Sequence, residues 1–302
     1  MMKRVIGWVG LTAVLMAGCS GGATGLQEYQ QLTLEATLPS DEVEDRTASE
    51  GSRRLDYLAE TEAVLVRRLD GFGVESAEVS STSDPDQVIV RLPVDVDVEA
   101  ARAVLTRRGQ LYLRSQKPET EAELAELIET LQRLLVEQNT LLQAGQSDEA
   151  AVLTAEIEQA RNAIANLFEP SELTGDRLEQ AEAVRAEGDT WAVRIRFDEQ
   201  GAEMFAAQTK AMAGTGRAVG LFLDNVLLST PVVDVSFSEN GIEDGEALIS
   251  GNFTEQGAKD LEIQLNSGAL PVYLETLAVT SSQEMESSAS EGAASEVSET
   301  AE

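Results

Sequence analysis

The chain has 302 residues with 22 Lys and Arg against 54 Asp and Glu, a formal net charge of −32, and no histidine. The absence of histidine excludes Ser-His-Asp and Cys-His nucleophile pairs and imidazole metal ligands. The acidic excess disfavours a nucleic-acid partner, because binding to a phosphate backbone depends on Lys and Arg. The length suggests two domains, and a hydrophobic content of 42% is sufficient for sizeable cores.

The N-terminus has the pattern of an exported, lipid-anchored protein. Two basic residues precede an apolar run over residues 5–18, which is too short to cross a membrane and is typical of a signal peptide. The sequence Leu-Met-Ala-Gly-Cys at its end resembles the bacterial lipobox. We therefore expect residues 1–18 to be removed, Cys19 to carry the lipid and residues 19–29 to form a tether. The alternative is an ordinary signal peptide with an incidental cysteine. Because the residue after Cys19 is Ser and not Asp, the outer membrane is the favoured location, if the cell has one.

A first folded domain is predicted over residues 30–116. Alternating apolar residues predict strands, and helical spacing predicts helices between them. The predicted strands are 30–38, 77–81, 87–92 and 110–114, and the predicted helices are 52–70 and 97–108. The resulting order β-α-β-β-α-β indicates a ferredoxin-like α+β domain, in which two helices cover one face of an antiparallel sheet.

Residues 119–169 are predicted to form an antiparallel helical hairpin. Leucines recur at helical spacing up to Gly145, and the apolar residues of the second helix then step by four and three, as in a coiled coil. The favoured interpretation is a hairpin that packs on itself and separates two domains. The alternative is an arm that contacts a partner or a second copy of the chain.

A second α+β domain is predicted over residues 171–279, with its last strand over 272–279. Within it, Phe-Asp-Glu-Gln-Gly-Ala at 197–202 returns as Phe-Thr-Glu-Gln-Gly-Ala at 253–258. Each copy places a helix N-cap residue after a phenylalanine, and the repeat favours an internal duplication. Residues 280–302 are rich in Ser and Glu and are predicted to be a disordered acidic tail. A solubility role is favoured for this tail over a docking role.

The sequence offers no arrangement typical of an enzyme or a cofactor site. Residues 214–217 (Gly-Thr-Gly-Arg) follow a predicted helix and enter a strand, the reverse of the order in a phosphate-binding loop. Pairs of carboxylates occur without the aromatic surroundings of a glycoside-binding cleft. We predict no catalytic residue, no metal and no cofactor. A carboxylate-based hydrolase is kept as a third hypothesis.

Three segments resemble motifs of the SecD/SecDF protein-export family. They are Leu-Asp-Asn-Val-Leu-Leu-Ser-Thr-Pro-Val at 223–232, Ile-Ser-Gly-Asn-Phe-Thr at 249–254 and Leu-Asn-Ser-Gly-Ala-Leu-Pro-Val at 265–272. Residues 69–74, 88–93 and 173–175 are also similar to segments of that family, so the resemblance covers roughly residues 30–115 and 171–277. The motif residues are interpreted as structural, in turns, bulges and element ends. They are Asp224, Asn225, Pro231, Gly251, Asn252, Phe253, Gly268 and Pro271.

The resemblance implies the large first periplasmic domain of that family, with a base at 30–116 and a head at 171–279. In the family, base and head are expected to move relative to one another and to hold a polypeptide that emerges from the export channel. Family members also carry transmembrane helices on both sides of this domain. Here we expect a lipid anchor instead, and therefore no proton-driven motor.

The predicted function is that of a non-catalytic envelope protein that faces the periplasm. It would bind exported polypeptides or assist the Sec export machinery, and its membrane contact would be the lipid on Cys19. The alternative from a different class is a structural or adaptor envelope lipoprotein that keeps the fold without the export role.

Overall fold

The computed structural model describes residues 28–38, 50–82, 86–186, 188 and 190–282. The helices are α1 (Glu50–Gly71), α2 (Val98–Leu105), α3 (Glu121–Gln143), α4 (Ser147–Asn166), α5 (Glu199–Met212) and α6 (Glu255–Ser267). The strands are β1 (Tyr29–Thr37), β2 (Glu78–Ser81), β3 (Gln87–Pro93), β4 (Leu111–Ser115), β5 (Leu178–Arg185), β6 (Trp191–Phe197), β7 (Val219–Leu223), β8 (Val226–Ser229), β9 (Glu246–Phe253) and β10 (Tyr273–Ser281). The predicted signal peptide, Cys19 and residues 283–302 of the predicted tail lie outside the described residues.

The base is a four-stranded antiparallel sheet covered by helices. Its strand order, β10-β1-β3-β2, is the order of a ferredoxin-like fold. The strands bury alternate side chains, among them Leu32 and Leu34 of β1. Leu65 and Leu69 of α1 and Leu105 of α2 pack in the same core. Burial of this apolar stripe gives the helices most of their stability.

The strand that completes the base sheet differs from the prediction. Residues 110–114 were expected to be its fourth strand, but β4 pairs with β7 in the head. The fourth position is taken by β10, which pairs with β1. A period of two in the sequence identifies each strand, but this local pattern does not determine the sheet that the strand joins. The predicted bounds 30–116 and 171–279 are therefore wrong at these strands, and β10 also extends past residue 280, the predicted start of the tail.

The head is an insertion between α2 and β10 and contains two three-stranded antiparallel sheets. One has the order β4-β7-β8 and the other β5-β6-β9. The two sheets share a core with α5 and α6, as shown by Leu113 of β4, Leu221 of β7, Ile195 of β6, Phe205 of α5 and Leu261 of α6. Sheets and helices segregate as expected for an α+β fold, which confirms the predicted fold class.

The repeated hexapeptide starts two equivalent helices. Asp198 accepts a hydrogen bond from the Gly201 backbone N–H at 2.7 Å, and Thr254 accepts one from the Gly257 N–H at 3.1 Å. Each side chain satisfies one of the N–H groups that the first turn of a helix leaves without an intrahelical partner. The strands that precede these helices, β6 and β9, are neighbours in one sheet.

The helical hairpin packs on itself and also on the head. Leu134 of α3 meets Ile157 and Ala160 of α4 in a small apolar cluster. Near its root, Phe168 contacts Phe222 of β7 edge to face, with ring centroids 5.0 Å apart. The expectation of a simple spacer between two domains is therefore wrong, because the hairpin covers the outer face of the β4-β7-β8 sheet.

Candidate functional site

A groove with an uncharged lining lies on the head between α3 and β8, with a volume of about 460 Å³. One wall is formed by four residues of α3 at helical spacing, Ile128, Leu131, Gln132 and Leu135. The floor is formed by residues 227–231, and Ser250 of β9 lies on the other side. None of the lining side chains is charged. This is the kind of surface that binds apolar segments of a polypeptide.

The packing of the hairpin produces the groove. Leu227 of β8 points to the same sheet face as Phe222, and both Leu227 and Leu131 of α3 pack against the cluster that contains Phe222. This packing places α3 beside β8. Leu135, one turn further along, is 37% exposed. The same apolar stripe that was interpreted as the inner face of a hairpin thus also forms the wall of an open site.

A second feature lies where base and head join, around Arg68 of α1. Its side chain is completely buried, with 0% exposure. Its guanidinium donates to five backbone carbonyls, those of Val104 (3.0 Å), Leu105 (3.0 Å), Arg107, Arg108 (2.9 Å) and Gly268 (3.3 Å). Burial lowers the pKa of Arg68 to about 10, which the charge of Asp224 opposes, so the group stays charged at neutral pH.

These carbonyls belong to the last turn of α2 and to the two connections that join base and head. One connection links α2 to β4, and the other links α6 to β10. The two also bond to each other, since the Leu270 N–H donates to the Arg108 carbonyl at 2.8 Å and the Arg108 Nε donates to the Leu270 carbonyl at 3.2 Å. A single base residue, Arg68, therefore holds both connections at once.

Asp224, a predicted motif residue, lies at this junction. Its carboxylate accepts from the backbone N–H of Gln110 at 2.8 Å and of Gly109 at 3.1 Å. It also occupies the first position of the β7–β8 turn with a φ of 51°. That left-handed conformation is tolerated by Asp and Asn better than by most residues. The motif residue thus ties the head turn to the connection that Arg68 holds.

Two more predicted motif residues fall at the same junction. Gly268 ends α6 with a φ of 82°, and its carbonyl is one of those bound by Arg68. Pro271 lies between Leu270 and Val272, which are both buried in the base core. The prediction that these residues are structural stays a prediction, and the contacts of Gly268 support it.

The other motif residues lie elsewhere in the head. Asn225 donates to Asn162 of α4 at 3.0 Å, which links the β7–β8 turn to the hairpin. Pro231 lines the groove. Gly251 and Asn252 form a bulge in β9, where Trp191 pairs with Phe253 and the next residue pairs with Ser250. The Phe253 ring packs on the head core.

Sequence reasoning did not identify Arg68 or the groove. The signal for Arg68 was present, because an arginine stands within the apolar stripe of α1 beside Leu65 and Leu69. A charged residue on the buried face of a helix predicts a specific set of partners. The groove had no such signal, because its wall and floor are far apart in the chain.

In the described part of the chain, no set of three or more acidic or cysteine side chains is placed to hold a metal ion. The helices of that part are all too short or too polar to span a bilayer. What the groove offers is an uncharged surface of mixed polar and apolar groups beside β8.

Comparison with known proteins identifies relatives of this fold. Residues 150–272 match the family described as SecDF, P1 head subdomain. The protein translocase subunit SecD of Synechocystis sp. is 38% identical over 227 residues, which cover 74% of this chain and 48% of the relative. The SecD of Prochlorococcus marinus is 32% identical over 282 residues, covering 82% of this chain and 54% of the relative. The chain thus spans about half the length of these relatives.

Two solved structures of SecDF share the fold. One, a membrane component that enhances protein export, has a TM-score of 0.58 and 22% identity, covering 83% of this chain and 99% of that chain. The other, SecDF in a super-membrane-facing form, has a TM-score of 0.60 and 22% identity, covering 84% of this chain and 30% of that chain. In sequence and in fold, this chain resembles the periplasmic domain of the SecD/SecDF protein-export family, as its motifs implied.

Proposed function

We propose that this protein binds exported polypeptides outside the cytoplasmic membrane and assists their translocation or folding, without catalysis. The relatives it resembles are protein translocase subunits. The observation that carries the proposal is the groove of about 460 Å³ between α3 and β8, whose lining is uncharged. An unfolded chain in transit exposes apolar segments, which such a surface binds by removing them from water.

The proposal includes a lipid anchor at Cys19 and a place in the cell envelope. It is supported by the lipobox-like sequence and by the position of the single cysteine directly after the apolar run. We expect Cys19→Ala to abolish metabolic labelling with a radioactive fatty acid and to release the protein from the membrane fraction. Labelling of the variant at the level of the parent protein would contradict the anchor.

Site-specific photo-crosslinking in cells tests polypeptide binding. A photoreactive amino acid at Gln132, on the groove wall, should crosslink to newly exported chains. The matched control is Val152 on α4, which is 67% exposed and does not line the groove. Equal crosslinking from both positions, or none from Gln132 in cells that are exporting protein, would overturn the proposal.

A second candidate is an envelope adaptor that uses the hairpin. It is favoured by exposed apolar residues on the hairpin outside the groove, namely Val136, Leu142 and Val152. Replacing these three residues with serine leaves the groove intact. If this triple variant produces a cellular defect and a groove variant does not, the adaptor role is correct.

A further inference from the structure

We propose that the acidic segment 283–302 folds back onto a cluster of arginines at the junction of base and head and covers it. The composition of this segment alone favours a solubility role over docking. Three observations favour docking: arginines at the junction that lack an acidic partner, the complementary charge of the segment, and a length of chain that is sufficient to return to the junction. The inference goes beyond the proposed function and does not depend on polypeptide binding.

The arginine cluster comprises Arg67 and Arg68 of α1 and Arg107 and Arg108 of the connection from α2 to β4. Three of its members donate to backbone carbonyls within residues 267–270, namely Arg67 at 2.9 Å, Arg68 at 3.3 Å and Arg108 at 3.2 Å. The carbonyl of the fourth, Arg107, accepts from Arg68. The four positive residues therefore meet where both connections leave the base.

The cluster has no acidic partner in the described part of the chain. There, no carboxylate oxygen lies within 4.0 Å of any of its guanidinium nitrogens. The charge of Asp224 acts on Arg68, but its carboxylate already accepts two backbone N–H groups of the same connection. Arg68 is buried, whereas Arg67 and Arg107 are exposed. Two positive charges of the cluster are thus open to an anion.

The segment 283–302 carries the complementary charge. It contains six glutamates and no lysine or arginine. Because the chain as a whole has a formal net charge of −32, acidic surface repels this segment and the cluster attracts it. Arginine is also the residue that binds carboxylates through two parallel hydrogen bonds. The cluster therefore suits this segment better than the acidic surface around it does.

The path of the chain allows the return. β10 begins beside the cluster, where the Arg108 guanidinium lies 5.2 Å from the centre of the Tyr273 ring. It ends at Ser281, about 26 Å away at roughly 3.3 Å per residue. About eight extended residues cover that distance in the opposite direction. The glutamates beyond this point are Glu291, Glu296, Glu299 and Glu302.

Attachment to β10 compensates for the weakness of exposed ion pairs. Each such pair contributes little by itself, but a tethered partner has an effective concentration of roughly millimolar at its site. Glutamates that pair with Arg67 and with Arg107 tie α1 to the connection from α2 to β4. The segment thus acts as a strap over the junction, outside the buried hydrogen bonds of Arg68. High salt releases it, because it screens exposed pairs.

Paramagnetic relaxation measured by NMR tests docking on the purified Cys19→Ala chain. Cys19 is the single cysteine, so Ser298→Cys provides one site for a nitroxide label. We expect the label to broaden the backbone amides of Arg67 and Arg107. The control label at Gln283→Cys lies at the start of the segment, about 26 Å from the cluster, and should broaden them far less. Equal broadening from both labels would overturn the inference.

Two matched arginine variants test the cluster. The side chains of Arg107 and of Arg133 on α3 are both exposed and form no bond with the described residues, so neither change should disturb the fold. Arg107→Gln should lower the relaxation of the Arg67 amide about twofold, through the loss of one ion pair. Arg133→Gln should leave it unchanged. The same relaxation in both variants would contradict docking on the cluster.

The segment itself is tested by neutralising its last four glutamates. Replacing Glu291, Glu296, Glu299 and Glu302 with glutamine should reduce the relaxation to the level found in about 1 M salt, where exposed pairs are screened. Relaxation that stays high in this variant, or that is spread evenly over the surface in the parent chain, would overturn the inference. Even spreading is the result expected of a segment that serves solubility alone.

A mixed sample tests whether the contact forms within one molecule. Chains with the nitroxide but without isotope are mixed with isotope-labelled chains that lack the nitroxide. Docking within one molecule leaves the amides of the cluster sharp in this mixture. Broadening equal to that in the singly labelled chain would show that the segment binds a second copy, and the inference would fail.

Discussion

The junction between base and head is buried around Arg68, whereas the groove on the head is open to solvent. At the junction, five carbonyls released by the ends of α2 and α6 are all bound by one buried side chain, Arg68. In the groove, the wall residue Leu135 is 37% exposed, and the lining side chains are uncharged. A buried polar group without a partner is costly, so the bonds of Arg68 stabilise the closed junction, whereas an exposed apolar side chain can still be covered by a partner. The first region is built to stay closed, and the second is available for binding.

Removing the arginine at the junction should have the largest effect on stability. Arg68→Met keeps the apolar stem but leaves the buried carbonyls without donors, and we expect a loss of about 3–5 kcal/mol in the free energy of unfolding. Urea denaturation followed by circular dichroism measures it. The control is Arg67→Met, which gives up one hydrogen bond, to the Ser267 carbonyl, and should cost about 1 kcal/mol. Similar losses for both variants would show that Arg68 does not hold the connections.

Filling the space beside Arg68 should have the next largest effect. Gly109 has a φ of 79°, and a Cβ there would lie 2.9 Å from Arg68 Nη2. We expect Gly109→Ala to cost about 2–3 kcal/mol, because backbone strain adds to displacement of the guanidinium. Gly145 in the hairpin turn has a similar φ of 75° and open space around it, so Gly145→Ala should cost about 1 kcal/mol. The difference between the urea unfolding midpoints of the two variants measures the cost of the added contact with Arg68.

A change in the groove should leave stability almost unaltered. Leu135→Ser removes an apolar side chain that is 37% exposed, and we expect a loss of about 0.5 kcal/mol or less. Thermal unfolding measures this loss, and crosslinking from Gln132 measures binding in the same variant. A large loss of stability would mean that the groove belongs to the core of the head, and the contrast with the junction would disappear.

The smallest effect concerns an exposed ion pair that belongs to neither region. The hydrogen bond and charge of Lys259, which lies 2.7 Å from Glu255 at the start of α6, hold the pKa of Glu255 below its usual range. The stability from this pair is therefore present above the ordinary pKa of Glu and is lost as the pH falls through the lowered value. We expect Lys259→Gln to raise the pKa of Glu255 in an NMR titration. No change in that titration would contradict the pairing.

The sequence predicted the helices and strands better than it predicted which of them lie next to each other in space. Helix starts at Asp198 and Thr254 follow from local chemistry, and the structure has both caps. The sheets that β4 and β10 join could not be predicted, because their pairing depends on contacts between distant parts of the chain. The groove was missed for the same reason: its wall on α3 and its floor on β8 come together only after the hairpin packs on Phe222.

The position of β1 has a consequence for synthesis of the protein. Among the described residues it is the first strand, and it lies between β3 and β10, the last strand of that part of the chain. Closing a contact over such a long stretch of chain is entropically costly and slow, and the cost falls once the intervening residues are compact. The base sheet therefore cannot be completed until the ribosome has released residue 281. The inserted head can fold while β1 still has one open side, and folding of the head brings the two ends of its connections together so that β10 can reach that side.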